Sequence, residues 1–202
     1  MISELGGAGL YNYSGGLQLM NSTVSGNQTA GFGAGLSVFQ GGIELSNVTM
    51  AGNNANYDGN YFGSGGSISN SSGTITLHNT VLARNLVAGV ASNGAADCNG
   101  TLTSLGYNLI GDNAGCTMTP ASGDQIGTNA SPIDPRLALL QTDNFPTFVY
   151  LLLPGSPAVD AGDSANCPAT DQHLRPRPVG PRCDIGAYEA LFWQIYLPAI
   201  AE

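Results

Sequence analysis

A short block recurs along the first half of this chain: Gly7-Ala-Gly-Leu-Tyr-Asn12, Gly33-Ala-Gly-Leu-Ser-Val38 and Gly65-Gly-Ser-Ile-Ser-Asn70. Fourteen residues after each block start stands an asparagine (Asn21, Asn47, Asn79), and six further on stands another (Asn27, Asn53, Asn85). The apolar positions between them match too: Leu17 with Ile43 and Ile75, Leu19 with Leu45 and Leu77, Val24 with Met50 and Leu82. Block starts at 7, 33 and 65 set periods of 26 and 32 residues. Self-similarity at such periods marks an architecture of stacked units. Within each unit the residues alternate apolar and polar, as in Leu17-Gln-Leu19 and Ile43-Glu-Leu45, which makes strands with one buried face. The expected fold is therefore all-β: a right-handed parallel β-helix, or solenoid, in which each strand pairs with its copy in the next coil. A β-sandwich also has short strands and turn signals, but it does not require strand and asparagine positions to recur in register.

The matched asparagines have a physical reason to sit at coil corners. Asparagine tolerates left-handed backbone, and stacked copies can hydrogen-bond along the axis as an amide ladder. The six extra residues of the second coil fall between Asn53 and Gly65 and predict a loop pushed out of the wall. It carries Tyr57, Asp58, Tyr61 and Phe62, a candidate interaction surface. A fourth coil is expected from Val87–Val90 onward, with Cys98 and Cys116 flanking a strand pair around Leu102 and Leu109. Near residue 117 prolines and charges appear and the asparagine pattern ends. This divides the chain into coils (1–116), a loop-rich C-terminal cap (117–190) over the open coil edge, and an apolar aromatic tail strand (191–202). Arg136-Leu-Ala-Leu-Leu140 reads as one short helix.

Charge narrows the function classes. Charged residues are 9% of the chain, against a usual ~25%; there is no lysine, and the net charge is −9. Nucleic acid and anionic membrane surfaces need basic patches and are excluded as partners. No segment reaches the ~18 apolar residues of a membrane span. Up to residue 96 the only charged residues are Glu4, Glu44, Asp58 and Arg84, a set in which like charges do not stack on successive strands. The four cysteines fall into neighbouring pairs, Cys98 with Cys116 and Cys167 with Cys183, 18 and 16 residues apart. Without a CxxC, this spacing predicts two local disulfides formed in an oxidising compartment. No signal peptide opens the chain, so an exported protein of this sequence is expected to be clipped from a longer precursor.

Several later motifs resemble one family. They are Ser104-Leu-Gly-Tyr-Asn-Leu-Ile-Gly-Asp112, Asp134-Pro-Arg-Leu137, Gly155-Ser-Pro-Ala-Val-Asp-Ala-Gly-Asp163, Cys167-Pro-Ala-Thr-Asp-Gln172 and Cys183-Asp-Ile-Gly-Ala-Tyr-Glu189. With the Gly-Leu-Tyr-Asn and Asn-Ser-Thr-Val-Ser-Gly-Asn repeats, they resemble the C-terminal part of bacterial surface proteins of the "choice-of-anchor Q domain" family. The chain departs from that pattern at Asp143-Asn-Phe-Pro-Thr147 and at His173-Leu174. The resemblance implies a secreted, surface-associated right-handed β-helix, and it implies no catalytic residues.

A polysaccharide lyase or hydrolase needs two or three carboxylates projecting from adjacent coils. Glu44 and Asp58 occupy no matching positions, so the coils supply no catalytic pair. The cap is richer, with Asp160, Asp163, Asp171, Asp184 and Glu189 beside Arg175, Arg177 and Arg182. Its oxygens at Asp160, Asp163 and Asp184 are candidate calcium ligands, and otherwise these acids are expected to cap turns and pair with the arginines. No cofactor is implied. Seven sequons (Asn12, Asn21, Asn27, Asn47, Asn70, Asn99, Asn129) follow from the asparagine- and serine-rich repeats.

The expected function is a non-enzymatic extracellular structural or adhesive β-solenoid at the cell surface. An uncapped first coil and a tail bearing Phe192, Trp193 and Tyr196 suggest head-to-tail assembly of copies into a filament. The alternative is a polysaccharide-binding or carbohydrate-active module working through the Tyr57–Phe62 loop.

Overall fold

The computed structural model of the chain describes residues 2–3, 6–59, 63–88 and 97–191. Among these residues every regular element is a β-strand, and all strand pairings but one are parallel. Each repeat contributes to three sheets in turn. The first sheet is built from Ile2–Ser3, Gln28–Thr29, Asn54–Ala55 and Leu86–Val87. The second takes Leu10–Asn12, Leu36–Val38, Ile68–Asn70, Cys98–Thr101 and Cys116–Thr117. The third holds the long strands Gly16–Ser25 and Gly42–Ala51, which later repeats break into Thr74–His78 with Val81–Leu82 and Thr103–Ser104 with Leu109–Ile110, and it ends at Gln125–Ile126.

Register follows the sequence repeat. Leu17 pairs with Ile43 and Ile43 with Ile75; Leu19 pairs with Leu45 and Leu45 with Leu77; Val24 pairs with Met50 and Met50 with Leu82. Because side chains alternate across a strand, these rows stack inward, where Ile43, Leu45, Met50, Ile75, Leu77 and Leu82 are almost wholly buried. Leu36, Val38 and Ile68 close the core from the second sheet, and Ile110 continues it into the last repeat. Each such side chain contributes roughly 1.5–3 kcal/mol by leaving water.

Midway along each long strand the chain turns through one left-handed residue: Asn21 (φ 46°), Asn47 (φ 52°) and Asn79 (φ 48°). The fourth repeat places Tyr107 there, at φ 57°. Asparagine holds this backbone better than other L-residues. Gly33 opens the second repeat at φ 61°, and a Cβ there would lie 2.3 Å from the Leu36 carbonyl oxygen, so the block needs glycine at that point.

Residues 137–141 correct the helix expected at 136–140. Leu137–Gln141 is a strand, antiparallel to Val149–Leu152, with a register shift between Leu137 and Leu140. Arg136 has φ 50°, which stops a helix from starting, and so short an apolar run cannot nucleate one alone. A partner strand satisfies its backbone instead.

The segment from 134 to 190 runs along the flank of the stack and touches every repeat. Asn21 Nδ2 donates to the Thr170 carbonyl at 2.7 Å, Ser25 Oγ meets Tyr150 Oη at 2.7 Å, Ala187 N donates to Thr49 Oγ1 at 2.9 Å, and Gln125 Nε2 donates to the Pro157 carbonyl at 2.7 Å. Beneath these contacts Ala51, Val81, Ala83 and Leu109 of the stack pack against Leu137, Val149, Leu152 and Ile185. The C-terminal segment thus forms a second hydrophobic layer against the outer face of the third sheet.

Candidate functional site

Hydrogen-bonded rows run along the stack and define where its polar chemistry goes. The backbone N–H and Nδ2 of Asn27 both donate to Asn53 Oδ1, at 3.2 and 2.9 Å. Asn53 repeats the pattern onto Asn85 Oδ1 (3.1 and 3.0 Å), and Asn85 repeats it onto Asp97 Oδ1 (3.1 and 2.9 Å). The other Asp97 oxygen accepts from Asp112 N at 2.7 Å. The donors to each next side-chain oxygen all point the same way along the axis, and the row ends on a carboxylate, which accepts without having to donate onward. A parallel row follows the same rule: Thr80 N donates to Asn108 Oδ1 at 3.0 Å, and Asn108 N donates to Asp124 Oδ1 at 2.8 Å.

The other asparagine set behaves differently. Asn79 Nδ2 reaches Asn47 Oδ1 only at 3.5 Å, while the Asn79 oxygen accepts from Asp163 N at 2.7 Å. Asn21 Oδ1 and Asn47 Nδ2 are buried without a hydrogen bond. Asn21, Asn47 and Asn79 thus act at corners and against the flanking segment, whereas Asn27, Asn53 and Asn85 form the continuous ladder. Asp97 escaped sequence reasoning because it breaks the repeat: it lies 12 residues after Asn85 instead of one period on. Asp124 could have been found by aligning Gln125-Ile126 with Leu109-Ile110, which it pairs with.

Burial pushes the Asp97 carboxyl up to about 6, against the pull of its Asn85 and Asp112 donors. With Arg84, Asp112 and Asp134 it borders a surface cavity of about 360 Å³. At the rim Arg84 binds Asp134 Oδ1 through Nε and Nη2 at 3.0 and 2.7 Å.

The acids of the C-terminal segment hold loops. Asp171 accepts from His173 N, Arg175 N and Glu189 N, and Glu189 accepts from Val179 N and Asp184 N. Asp184 accepts from Asp160 N at 2.7 Å and Ala190 N at 2.6 Å, and burial together with the nearby Glu189 pushes its carboxyl up to about 7. The buried Arg177 guanidinium donates to the Asp184 and Gly186 carbonyls and lies 3.4 Å from Glu189 Oε2. Arg175 binds Asp143 and Tyr188.

Of the calcium candidates, Asp160 and Asp184 share the hydrogen bond just described, while Asp163 binds Ala165 N, Asn166 Nδ2 and His78. Among the described residues no group of three or more His, Cys, Asp or Glu is arranged to hold a metal ion. Cys98 is bonded to Cys116, and Cys167 to Cys183. No described helix is long and apolar enough to cross a membrane.

In the predicted loop, Tyr57 N donates to the Thr29 carbonyl, and Tyr57 and Asp58 face solvent. Tyr61, Phe62, Phe192, Trp193 and Tyr196 lie outside the described residues, as does Val90. Glu44 accepts from Gln18 Nε2 at 3.1 Å on the outer face of the third sheet, with no second carboxylate among the residues lining that recess.

A different set of aromatics comes together on the outer face of the second sheet. Tyr11, Phe32 and Phe39, each more than two-fifths exposed, wall a groove of about 550 Å³. Tyr13 stacks on Phe39 with ring centroids 5.2 Å apart and planes 12° from parallel. Ser37, Ser69 and Asn99 line the same groove, at one outward strand position on successive repeats. Periodicity singles out only Tyr13 and Phe39, which stand one 26-residue period apart; Tyr11 and Phe32 have no aromatic counterpart in the matching repeats. No family model, curated protein or solved structure matches the chain.

Proposed function

We propose that this chain is a non-enzymatic extracellular module, a right-handed parallel β-helix with its C-terminal segment braced along one flank, serving a structural or adhesive role at a cell surface. In-register parallel pairing of successive repeats supports the helical path, and the strong preference of parallel crossovers for one hand supports its sense. Two disulfides fit an oxidising compartment, and the resemblance to the choice-of-anchor Q domain proteins favours the cell surface.

The observation that carries the non-enzymatic reading is the use of the buried carboxylates. Asp97, Asp171, Asp184 and Glu189 each accept two or more backbone N–H groups. Acid–base catalysis needs carboxyl oxygens within reach of a substrate proton, and these oxygens are occupied in holding the chain's own backbone. Incubation of the disulfide-bonded protein with neutral and acidic polysaccharides, followed by size-exclusion chromatography of the polymer, tests this. Unchanged chain length is expected. Shortening that is lost in an Asp97→Ala variant would overturn the reading.

A further inference from the structure

The groove on the second sheet differs from the rest of the surface in two respects. Its walls are exposed aromatic rings, Tyr11, Phe32 and Phe39, and among the described residues no charged side chain lines it. Its floor is polar: it carries the hydroxyls of Ser37 and Ser69 and the amide of Asn99, none of them hydrogen-bonded to another described side chain. Elsewhere the repeats engage amides and carboxylates in the rows along the axis, so these hydroxyls and this amide beside aromatic faces stand out.

We propose that this groove binds an uncharged polysaccharide, laid along the stack axis. Sugar rings offer an apolar face of C–H groups and an equatorial belt of hydroxyls. The first suits an aromatic wall, and the second suits hydroxyl and amide partners, the combination expected of a small-ligand site. Tyr11, Ser37, Ser69 and Asn99 occupy paired positions on four successive strands, so they repeat at about 4.8 Å along the groove. That spacing is close to the advance of one pyranose unit in an extended chain, which lets one sugar meet each repeat. Tyr13 stacked against Phe39 holds the wall in place before the ligand arrives. The described lining residues, Tyr11, Phe32, Ser37, Phe39, Ser69 and Asn99 among them, are all uncharged, which favours a neutral polymer over a uronate one. Leu36–Val38 and Ile68–Asn70 are paired on both sides, so a peptide could add as a strand only at the sheet edge, Leu10–Asn12, and not along the groove floor.

The proposal rests on the adhesive reading above and names its ligand class. Its test is calorimetric titration of the intact, disulfide-bonded protein with cellohexaose, laminarihexaose and mannohexaose, with hexagalacturonate as the charged probe. At least one neutral hexasaccharide is expected to bind, with affinity insensitive to salt. Tyr11→Ala and Phe39→Ala should each weaken it about tenfold, the loss of one good aromatic contact. Phe39→Tyr should retain it, and thermal unfolding should confirm that all three variants fold. Absence of binding by all neutral probes, binding only of hexagalacturonate, or full affinity in both alanine variants would overturn the proposal. So would a dimer in light scattering that Tyr11→Ala returns to monomer, since a second copy would then be what covers the rings. Hexasaccharide cleavage would instead refute the non-enzymatic reading and leave the groove standing.

Discussion

An asparagine in the middle of a ladder has a different task from the residue at its end. Asn53 Oδ1 accepts two donors from Asn27, while its own amide donates to Asn85 Oδ1 and to the Val24 carbonyl at 3.0 Å. Removing it orphans buried donors and acceptors on both neighbours, each at roughly 1–3 kcal/mol. Asn53→Ala is therefore expected to lower unfolding free energy by about 2–4 kcal/mol in urea titration. Asn53→Asp should be no better, because it sets an acceptor against the Asn85 oxygen and the Val24 carbonyl. An aspartate is suited only to the terminal rungs, where Asp97 and Asp124 stand. A tolerated Asn53→Asp would show that the rows do not have the direction described.

Strands and their ties show how much a sequence of this kind discloses. The rows Leu17–Ile43–Ile75 and Leu19–Leu45–Leu77 were legible because a stacked repeat forces matched positions into contact, and those are the residues that pair. Leu137–Gln141 was not legible: five residues are too few to separate a helical from a strand period, and its partner Val149–Leu152 arrives by a tertiary contact. Asp97 was hidden for a related reason, since it completes a row from outside the period. Of the exposed aromatics of the groove only Phe39 follows the repeat, matching Tyr13; Tyr11 and Phe32 carry no pattern until the second sheet lines up their strands. The Cys98–Cys116 bond ties two adjacent strands of that sheet across 18 residues of chain, a loop for which closure contributes about 3 kcal/mol. A Cys98→Ala/Cys116→Ala variant should lose about that much stability in non-reducing denaturation, and an unchanged midpoint would contradict a stabilising role for the bond.

Across the whole molecule, the stack and its flanking segment share a set of buried acids, and this shapes the response to pH. Asp97 is pushed up to about 6 and Asp184 to about 7, chiefly by burial. Both bind protons more tightly in the folded chain than in the unfolded one, so stability falls as pH rises from the ordinary carboxylate range to about 6 and 7, and then levels off. The more exposed Asp134 and Asp163 are held below the ordinary value, by the Arg136 N–H and the Asn166 amide first, and work in the opposite sense at lower pH. Calorimetric scans should find the highest melting temperature near about pH 4–5 and a lower one at about pH 8; a maximum at alkaline pH would contradict the burial of these acids. The central claim is that buried carboxylates serve the scaffold, and the melting temperature of Asp97→Ala at neutral pH tests it most directly. Loss of a group that accepts three N–H donors should lower the melting temperature by at least about 5 °C. A higher melting temperature, the usual result of removing an acid whose burial is tolerated for catalysis, would contradict the account.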